Sequence, residues 1–221
     1  MAGLVAVGLL PLIPACSRRA QINPGLQLSS SQIEKAKTRA KSLIRSGADP
    51  YSAYGSLMHE VNVRVSAEVI LRKAAACWPQ HELAFQIAQQ EDDTDAGLQR
   101  AADEAVRRLE RELKFMATVE MPVGRDPAGI TFAMRTHPGS TEYPPISVST
   151  PFHLRDYTSA LDPTAPPASL WAYDIWFPIA GSPGYPAIDE GVRSVCLVVK
   201  QGESQAEAWF DLPRPTVTSG I

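Results

Sequence analysis

Residues 113–121, with the sequence LKFMATVEM, decide the fold of this chain. Their odd positions are all apolar and their even positions mostly polar, which is the period-two pattern of a half-buried β-strand. Before this stretch apolar residues recur mainly at helical spacing, whereas after it they occur in short runs between proline-rich connections. The chain therefore changes from helices to strands near residue 113, and an α+β fold is predicted.

Five further apolar runs after residue 121 predict additional strands. The tetrapeptide Gln201–Ser204, QGES, separates the last two runs and is typical of a hairpin loop. Six strands in roughly 100 residues, with no helical pattern between them, indicate an antiparallel β-sandwich of immunoglobulin-like architecture. The five runs lie at 130–135, 146–150, 170–177, 192–200 and 206–212.

The region before the strands is expected to be helical. Ser31–Glu34 fits a capping box, so a first helix is predicted to begin there and to end at Gly47. A second helix is predicted from Asp49, although residues 61–65, VNVRV, alternate strictly and a short strand is an open alternative there. Two more helices are predicted over 81–90 and 96–113.

The first residues form a short apolar segment that ends at a cysteine. Residues 3–13 are an uncharged run of 11 residues, which is shorter than the roughly 18 that a membrane-spanning helix needs. Pro14, Ala15 and Cys16 follow, and then the sequence becomes polar. This pattern resembles a bacterial lipoprotein signal peptide. A plain secretory signal and an apolar tail of a cytoplasmic protein are the alternatives.

The resemblance implies a processed, lipid-anchored protein. Cleavage would follow Ala15, and Cys16 would carry the acyl chains, palmitate among them, in the bacterial cell envelope. Ser17 after the cysteine implies delivery to the outer membrane if the source is Gram-negative. The predicted organisation is a signal peptide (1–15), a lipidated tether (16–30), a helical region (31–113), a β-sandwich domain (114–215) and a flexible tail (216–221).

The charge divides along the same boundary as the fold. The 221 residues include 21 basic and 24 acidic side chains, which leaves no basic excess for nucleic acid. Residues 1–114 carry +2 and residues 115–221 carry −5, whereas residues 18–45 alone carry +6. An anionic bilayer attracts each nearby basic residue by about 1 kcal/mol. We therefore expect Arg18, Arg19, Lys35 and Arg39 to contact the membrane surface; a solvated helix face is the alternative.

Catalytic and metal-binding motifs are incomplete in this sequence. His59-Glu60 and His81-Glu82 lack the second histidine of a helical zinc motif. Residues 93–104 have Leu98 at the sixth position, where a calcium loop needs glycine. No cofactor or metal is expected. A hydrolase assembled around His137 or His153 with acidic and hydroxyl partners stays open, because a catalytic triad is defined by its geometry.

Residues 171–178, WAYDIWFP, form the most distinctive segment. By period two, Asp174 and Trp176 lie on the face opposite the apolar core residues. Together with Tyr185 in the following loop, Trp176 and Asp174 are the candidate ligand-binding residues, as a stacking surface for a sugar or a peptide. The alternative is that the N-terminal helices cover this face and that Trp176 packs between the two halves.

The sequence predicts a role without identifying a reaction. Cys77 and Cys196 either form a bridge between the two halves or are two buried thiols. The predicted function is a lipid-anchored envelope protein that acts as a non-catalytic binding or assembly module for an envelope protein or a cell-wall polymer. A hydrolase with a His/Ser/Asp site and a carbohydrate- or peptidoglycan-binding module that uses exposed aromatics are the alternatives.

Overall fold

The computed structural model describes residues 22–47, 57–158, 164, 166–179 and 188–214. The described chain contains helices and mostly antiparallel strands, so the predicted α+β class is confirmed. The helices are α1 (Ser30–Ser46), α2 (Pro79–Ala88) and α3 (Asp95–Leu109). The strands are β1 (His59–Arg64), β2 (Ile70–Cys77), β3 (Glu112–Pro122), β4 (Thr131–Arg135), β5 (Ser147–Val148), β6 (Phe152–Tyr157), β7 (Ala168–Pro178), β8 (Ser194–Gln201) and β9 (Ser204–Asp211).

Two antiparallel sheets form the predicted sandwich. The larger sheet has the order β1-β2-β3-β7-β5, and β6 pairs with β7 next to β5; the smaller sheet has the order β4-β8-β9. Aromatic rings from both sheets meet in the core, where Phe115 lies 5.5 Å from Phe177 and 5.7 Å from Phe210. The three helices pack on the other face of the larger sheet and enclose Trp176 with their apolar side chains.

β3, the strand predicted from the alternation of residues 113–121, is the central strand of the larger sheet. Its odd residues from Leu113 to Met121 are all buried in the sandwich core. It pairs with β7 without a break from Glu112, opposite Pro178, to Pro122, opposite Ala168. The even residues of both strands face the helices, which places Lys114 and Trp176 side by side in the register.

The first and last helices are found with shifted boundaries. The capping box of α1 is formed by Ser29 and Gln32, two residues before the predicted start, because the Ser29 side chain accepts from the Gln32 amide. α1 ends as predicted at Gly47, which has a left-handed φ of 60°. α3 ends at Leu109 and not at Leu113, because Leu113 already belongs to β3.

The predicted second helix is wrong where its residues are described. Residues 59–64 form β1 and residues 70–77 form β2, so the region 31–113 is not purely helical. The three valines of VNVRV are β-branched and favour a strand over a helix, although β1 has a register shift between Glu60 and Val63. β2 follows with Ala74 to Cys77 buried between its two neighbouring strands. The larger sheet therefore crosses the predicted boundary at residue 113.

Part of the predicted tether is built into the fold. The Asn23 side-chain amide donates to the backbone oxygens of Asp189 and Val192, both at 3.0 Å. Leu26 is 1% exposed and belongs to the sandwich core. Residues 22–26 are therefore packed against the sandwich, which corrects the tether boundary at residue 30. The predicted tail, 216–221, lies outside the described residues.

Candidate functional site

The proposed aromatic surface at Trp176 is covered by the helices. Trp176 is only 8% exposed and packs among the apolar residues of the helical layer. The guanidinium carbon of Arg108, from α3, lies 3.6 Å from the centre of the indole ring, a distance at which the cation is attracted to the aromatic face. Trp176 therefore joins the two halves of the molecule, and the stacking-surface prediction for this residue is wrong. Tyr185 lies outside the described residues.

Asp174 belongs to a buried charge cluster beneath α2. Its Oδ2 atom accepts from the Lys114 ammonium at 2.9 Å, and the same ammonium lies 3.5 Å from Oε1 of Glu82. Lys114 and Glu82 are 2% and 1% exposed, so this ion pair is fully enclosed. Burial acts to lower the pKa of Lys114, but the two carboxylates outweigh it and raise the pKa above its usual value. This arrangement keeps Lys114 charged and ties the helical layer to the sheet.

Cys77 and Cys196 are free and buried, which agrees with the prediction of two buried thiols and not with a bridge between the two halves. Burial raises the pKa of the Cys77 thiol well above its usual value, and the Glu82 carboxylate adds to the effect. Burial likewise raises the pKa of Cys196 to about 12, with Glu207 as the next cause. Thiols with such pKa values are protonated at neutral pH and are poor nucleophiles.

One predicted histidine lies beside a serine and an aspartate. His153 Nε2 is 2.8 Å from Oδ1 of Asp156, and the Ser169 hydroxyl donates to the same oxygen at 2.6 Å. These two hydrogen bonds hold the pKa of the Asp156 carboxyl below its usual value. The aspartate sits between the other two residues, whereas a nucleophilic triad needs the histidine between serine and aspartate. His137, the other candidate, is exposed and bonds through its backbone amide to the Ser140 hydroxyl.

The acidic run before α3 is paired with basic side chains. Lys41 and Arg45 of α1 form ion pairs with Asp95 and Asp93 at 2.8 and 2.9 Å, and Asp92 pairs with Arg100. Among the described residues no group of carboxylate, histidine or cysteine side chains could hold a metal ion. The run thus attaches α1 to the start of α3.

The predicted membrane-contact residues are only partly described. Lys35 is an exposed residue of α1, and Arg39 is exposed with its guanidinium 5.1 Å from the buried ring of Phe85. Arg18, Arg19 and the predicted lipidation site Cys16 lie outside the described residues. In the part of the chain that is described, no helix has the length and apolar character needed to span a membrane.

An exposed apolar strip follows the outer edge of the larger sheet. β5 and β6 both pair with β7 and form this edge. Four of the seven exposed large apolar side chains in the described chain belong to it or to the residue just before β5. They are Ile146 (47%), Val148 (41%), Phe152 (68%) and Leu154 (46%). We call these four residues the apolar edge.

The apolar edge presents side chains on both faces of the sheet. Phe152 lies opposite Ala172 and therefore on the helical side, whereas Val148 lies opposite Ile175 on the core side. On the core side a cavity of about 440 Å³ adjoins the edge, with Val148, Phe132 and Tyr173 in its wall. β6 is not among the strands predicted from the sequence, although residues 152–157, FHLRDY, begin with alternating apolar and polar residues, which is a strand signal.

Comparison of the chain with protein-family models, with curated proteins and with solved structures finds no match.

Proposed function

We propose that this protein is a lipid-anchored envelope protein that acts as a non-catalytic binding or assembly module, and that it binds its partner through the apolar edge. The observation that carries this proposal is the concentration of exposed apolar side chains along one edge of the larger sheet, beyond which no described strand pairs. A free sheet edge also offers unpaired backbone groups, and such edges are usually blunted by charge or covered. A partner that covers this edge would bury both the backbone groups and the apolar side chains.

The partner that fits is an extended segment of another envelope protein. A strand added beside β5 and the start of β6 would place alternate side chains on the two faces of the sheet. Side chains on one face of the added strand would contact Phe152, and those on the other face would contact Val148. The segment should therefore carry apolar residues at successive positions. The register shift after His153 displaces Leu154 from the ladder and limits pairing beyond this point.

The arrangement of polar residues favours binding over hydrolysis. His153 and Ser169 share one oxygen of Asp156, so the histidine has no direct route to the serine proton. Ser169 is also only 4% exposed, which keeps a substrate carbonyl away from its hydroxyl. This arrangement therefore does not place His153 as a base that could activate Ser169, which supports the binding role over a hydrolase at this position.

The proposed anchor places the folded part close to the membrane. Ile22, six residues after Cys16 in the sequence, is bridged to Asp189 in the folded part. Six extended residues span about 20 Å at most. Ile22 would therefore lie within about 20 Å of the lipid anchor, as expected of a protein held at the membrane surface.

Site-specific photocrosslinking in cells of the source organism tests the binding surface. A benzophenone amino acid at position 152 should give one discrete adduct with a second protein, and the double substitution Ile146→Ser/Leu154→Ser should abolish it. The same amino acid at Val63, exposed on the opposite edge of the sheet, is the matched control and should give no such adduct. Identical adducts from both positions, or none from position 152, would contradict the proposal. An adduct of twice the chain mass would identify a second copy in place of a different partner.

Metabolic labelling with a palmitate analogue tests the anchor separately. The wild-type chain should be labelled, and Cys16→Ser should remove the label and release the protein from the membrane fraction. Equal labelling of both proteins would overturn the anchor and leave the binding surface unaffected.

A further inference from the structure

The cavity beside the apolar edge lies between the two sheets of the sandwich. Its volume is about 440 Å³. Phe132 of β4 and Tyr173 of β7, both buried in the sandwich core, form part of its wall, and their ring centres are 5.0 Å apart. Val148 belongs both to the cavity wall and to the apolar edge. The cavity is therefore continuous with the surface at which a partner is proposed to bind.

The wall of this cavity is uncharged. Among the described residues eleven line it, of which four are prolines and none is acidic, basic or histidine. Two of its three hydroxyl groups are already engaged, because Tyr173 donates to the Pro127 carbonyl at 2.9 Å and Ser149 accepts from the Asp174 amide at 3.0 Å. A charged ligand group would lose its hydration here without gaining a partner. The wall thus selects an apolar group.

The strand register directs one side chain of an added segment toward this cavity. Val148 lies opposite Ile175, a core residue, so the Val148 side chain is on the core face of the larger sheet. A segment that pairs along the outer side of β5 would place one residue beside Val148, and neighbours across two strands point to the same face. That residue points to the space between the sheets, whereas its two neighbours in the segment point to the helical side.

The size and the lining of the cavity favour an aromatic side chain at this position. A cavity of about 150 Å³ already accepts a benzene ring, so a volume of about 440 Å³ has room for an aromatic side chain. The rings of Phe132 and Tyr173 are inclined at 61° to each other. A third ring can contact them edge to face, which stabilises aromatic groups beyond the burial of their area. Aromatic residues that fill pockets also dominate the binding energy of many interfaces.

We infer that this cavity binds one aromatic side chain, phenylalanine or tryptophan, of the extended partner segment; the inference rests on the proposed function. The aromatic residue lies beside Val148 and enters the space between the sheets toward Phe132 and Tyr173. The cavity thereby determines which segments the apolar edge accepts, because a segment without an aromatic residue at this position leaves it unfilled.

Fluorescence anisotropy with two labelled nonapeptides tests this specificity on the full chain carrying Cys16→Ser. Both probes alternate threonine with valine between two terminal lysines, and the central valine is replaced by phenylalanine in one probe and by alanine in the other. The phenylalanine probe should bind at least about tenfold more tightly, because its side chain is removed from water. The ratio of the two dissociation constants should not change with salt, since the cavity wall is uncharged.

A filled cavity should remove this preference. Val148→Trp places a ring of the chain itself at the cavity, so the phenylalanine probe should then bind less than about twofold more tightly than the alanine probe. Val63→Trp is the matched control, because Val63 is 37% exposed on β1 at the opposite edge of the same sheet. This control should keep the preference of at least about tenfold. Circular dichroism and urea unfolding verify that both variants are folded.

The cellular crosslink from position 152 separates this inference from the proposed function. With the benzophenone amino acid at that position, Val148→Trp should lower the yield of the adduct at least about fivefold, whereas Val63→Trp should leave it unchanged. An undiminished adduct in the Val148→Trp protein overturns the aromatic anchor and leaves the proposed function standing. Absence of the adduct without either substitution contradicts the proposed function itself.

The peptide measurements can overturn the inference in four ways. The first two are absence of binding by the phenylalanine probe and equal affinity for both probes. The third is an equal loss of preference in the Val148→Trp and Val63→Trp proteins. The fourth is displacement of the phenylalanine probe by dodecanoate that binds more tightly, which would assign the cavity to an acyl chain.

Discussion

Removal of the Lys114 ammonium should strongly destabilise the protein. The substitution Lys114→Met keeps most of the side-chain volume but removes the Lys114 cation from beside Glu82, which is 1% exposed. At the 3.5 Å separation of Nζ and Oε1, the attraction is about 5 kcal/mol for an effective dielectric constant of about 20. The desolvation of Glu82 is retained in the variant while this attraction is lost. We therefore expect the free energy of unfolding to fall by about 3–5 kcal/mol.

Urea unfolding followed by tryptophan fluorescence and circular dichroism measures this loss. Glu82→Met added to Lys114→Met should recover most of it, because an apolar pair of similar volume can replace a buried ion pair at little cost. The exposed pair of Arg125 and Glu68 provides the control, and Arg125→Met should cost less than about 1 kcal/mol. A loss below about 1 kcal/mol for Lys114→Met, or a double variant no more stable than the single one, would refute the reasoning.

Three further predictions follow from the buried side chains. Trp176→Ala should lower the free energy of unfolding by about 3–5 kcal/mol, because it opens a cavity between helices and sheet; unchanged stability in urea would contradict its joining role. In the Cys16→Ser protein, Ellman's reagent should detect no thiol in the native state and two after denaturation, since Cys77 and Cys196 are buried and free; one or two thiols reacting in the native state would contradict this. Burial raises the pKa of both thiols in the folded state. The stability that they contribute is therefore full below the thiol pKa of the unfolded chain, about 8.5, and is lost as the pH rises. The free energy of unfolding should fall by about 1.4 kcal/mol per pH unit for each thiol that ionises only on unfolding. Urea titrations between pH 7 and about pH 10 should show this decline, and it should shrink in Cys77→Ala/Cys196→Ala.

The parts of the fold that the sequence predicts best are those with one unambiguous period. β3 alternates, the odd residues of β7 from Trp171 to Phe177 form one apolar face, and α3 has a single apolar face. All three elements are therefore found, with ends shifted by one to four residues from the prediction. β2 is different, because Ile70–Cys77 is rich in alanine, the strongest helix former, and becomes a strand only between β1 and β3. The pairing of β2 with β3 joins residues about 40 positions or more apart in the sequence on average, and no local pattern in residues 70–77 indicates it.

The face occupied by Trp176 illustrates the same limit at the level of function. Period two correctly separates Trp176 from the core residues of β7, but it cannot tell whether that face meets water or another layer. The answer depends on α1, α2 and α3, which lie 67 or more residues earlier in the chain and bring Arg108 over the indole.

Exposure of an apolar residue is likewise a property of the assembled sheet. The strand pattern of β6 can be read locally, yet Phe152 is exposed only because β6 is the last strand on its side of β7 and no described strand pairs beyond it. Local periodicity therefore predicts which residues are core, whereas the free edges, where binding is proposed, are set by strand order. The apolar edge lies at such an edge. Periodicity alone could not identify it, and it indicated the buried Trp176 as a candidate ligand-binding residue.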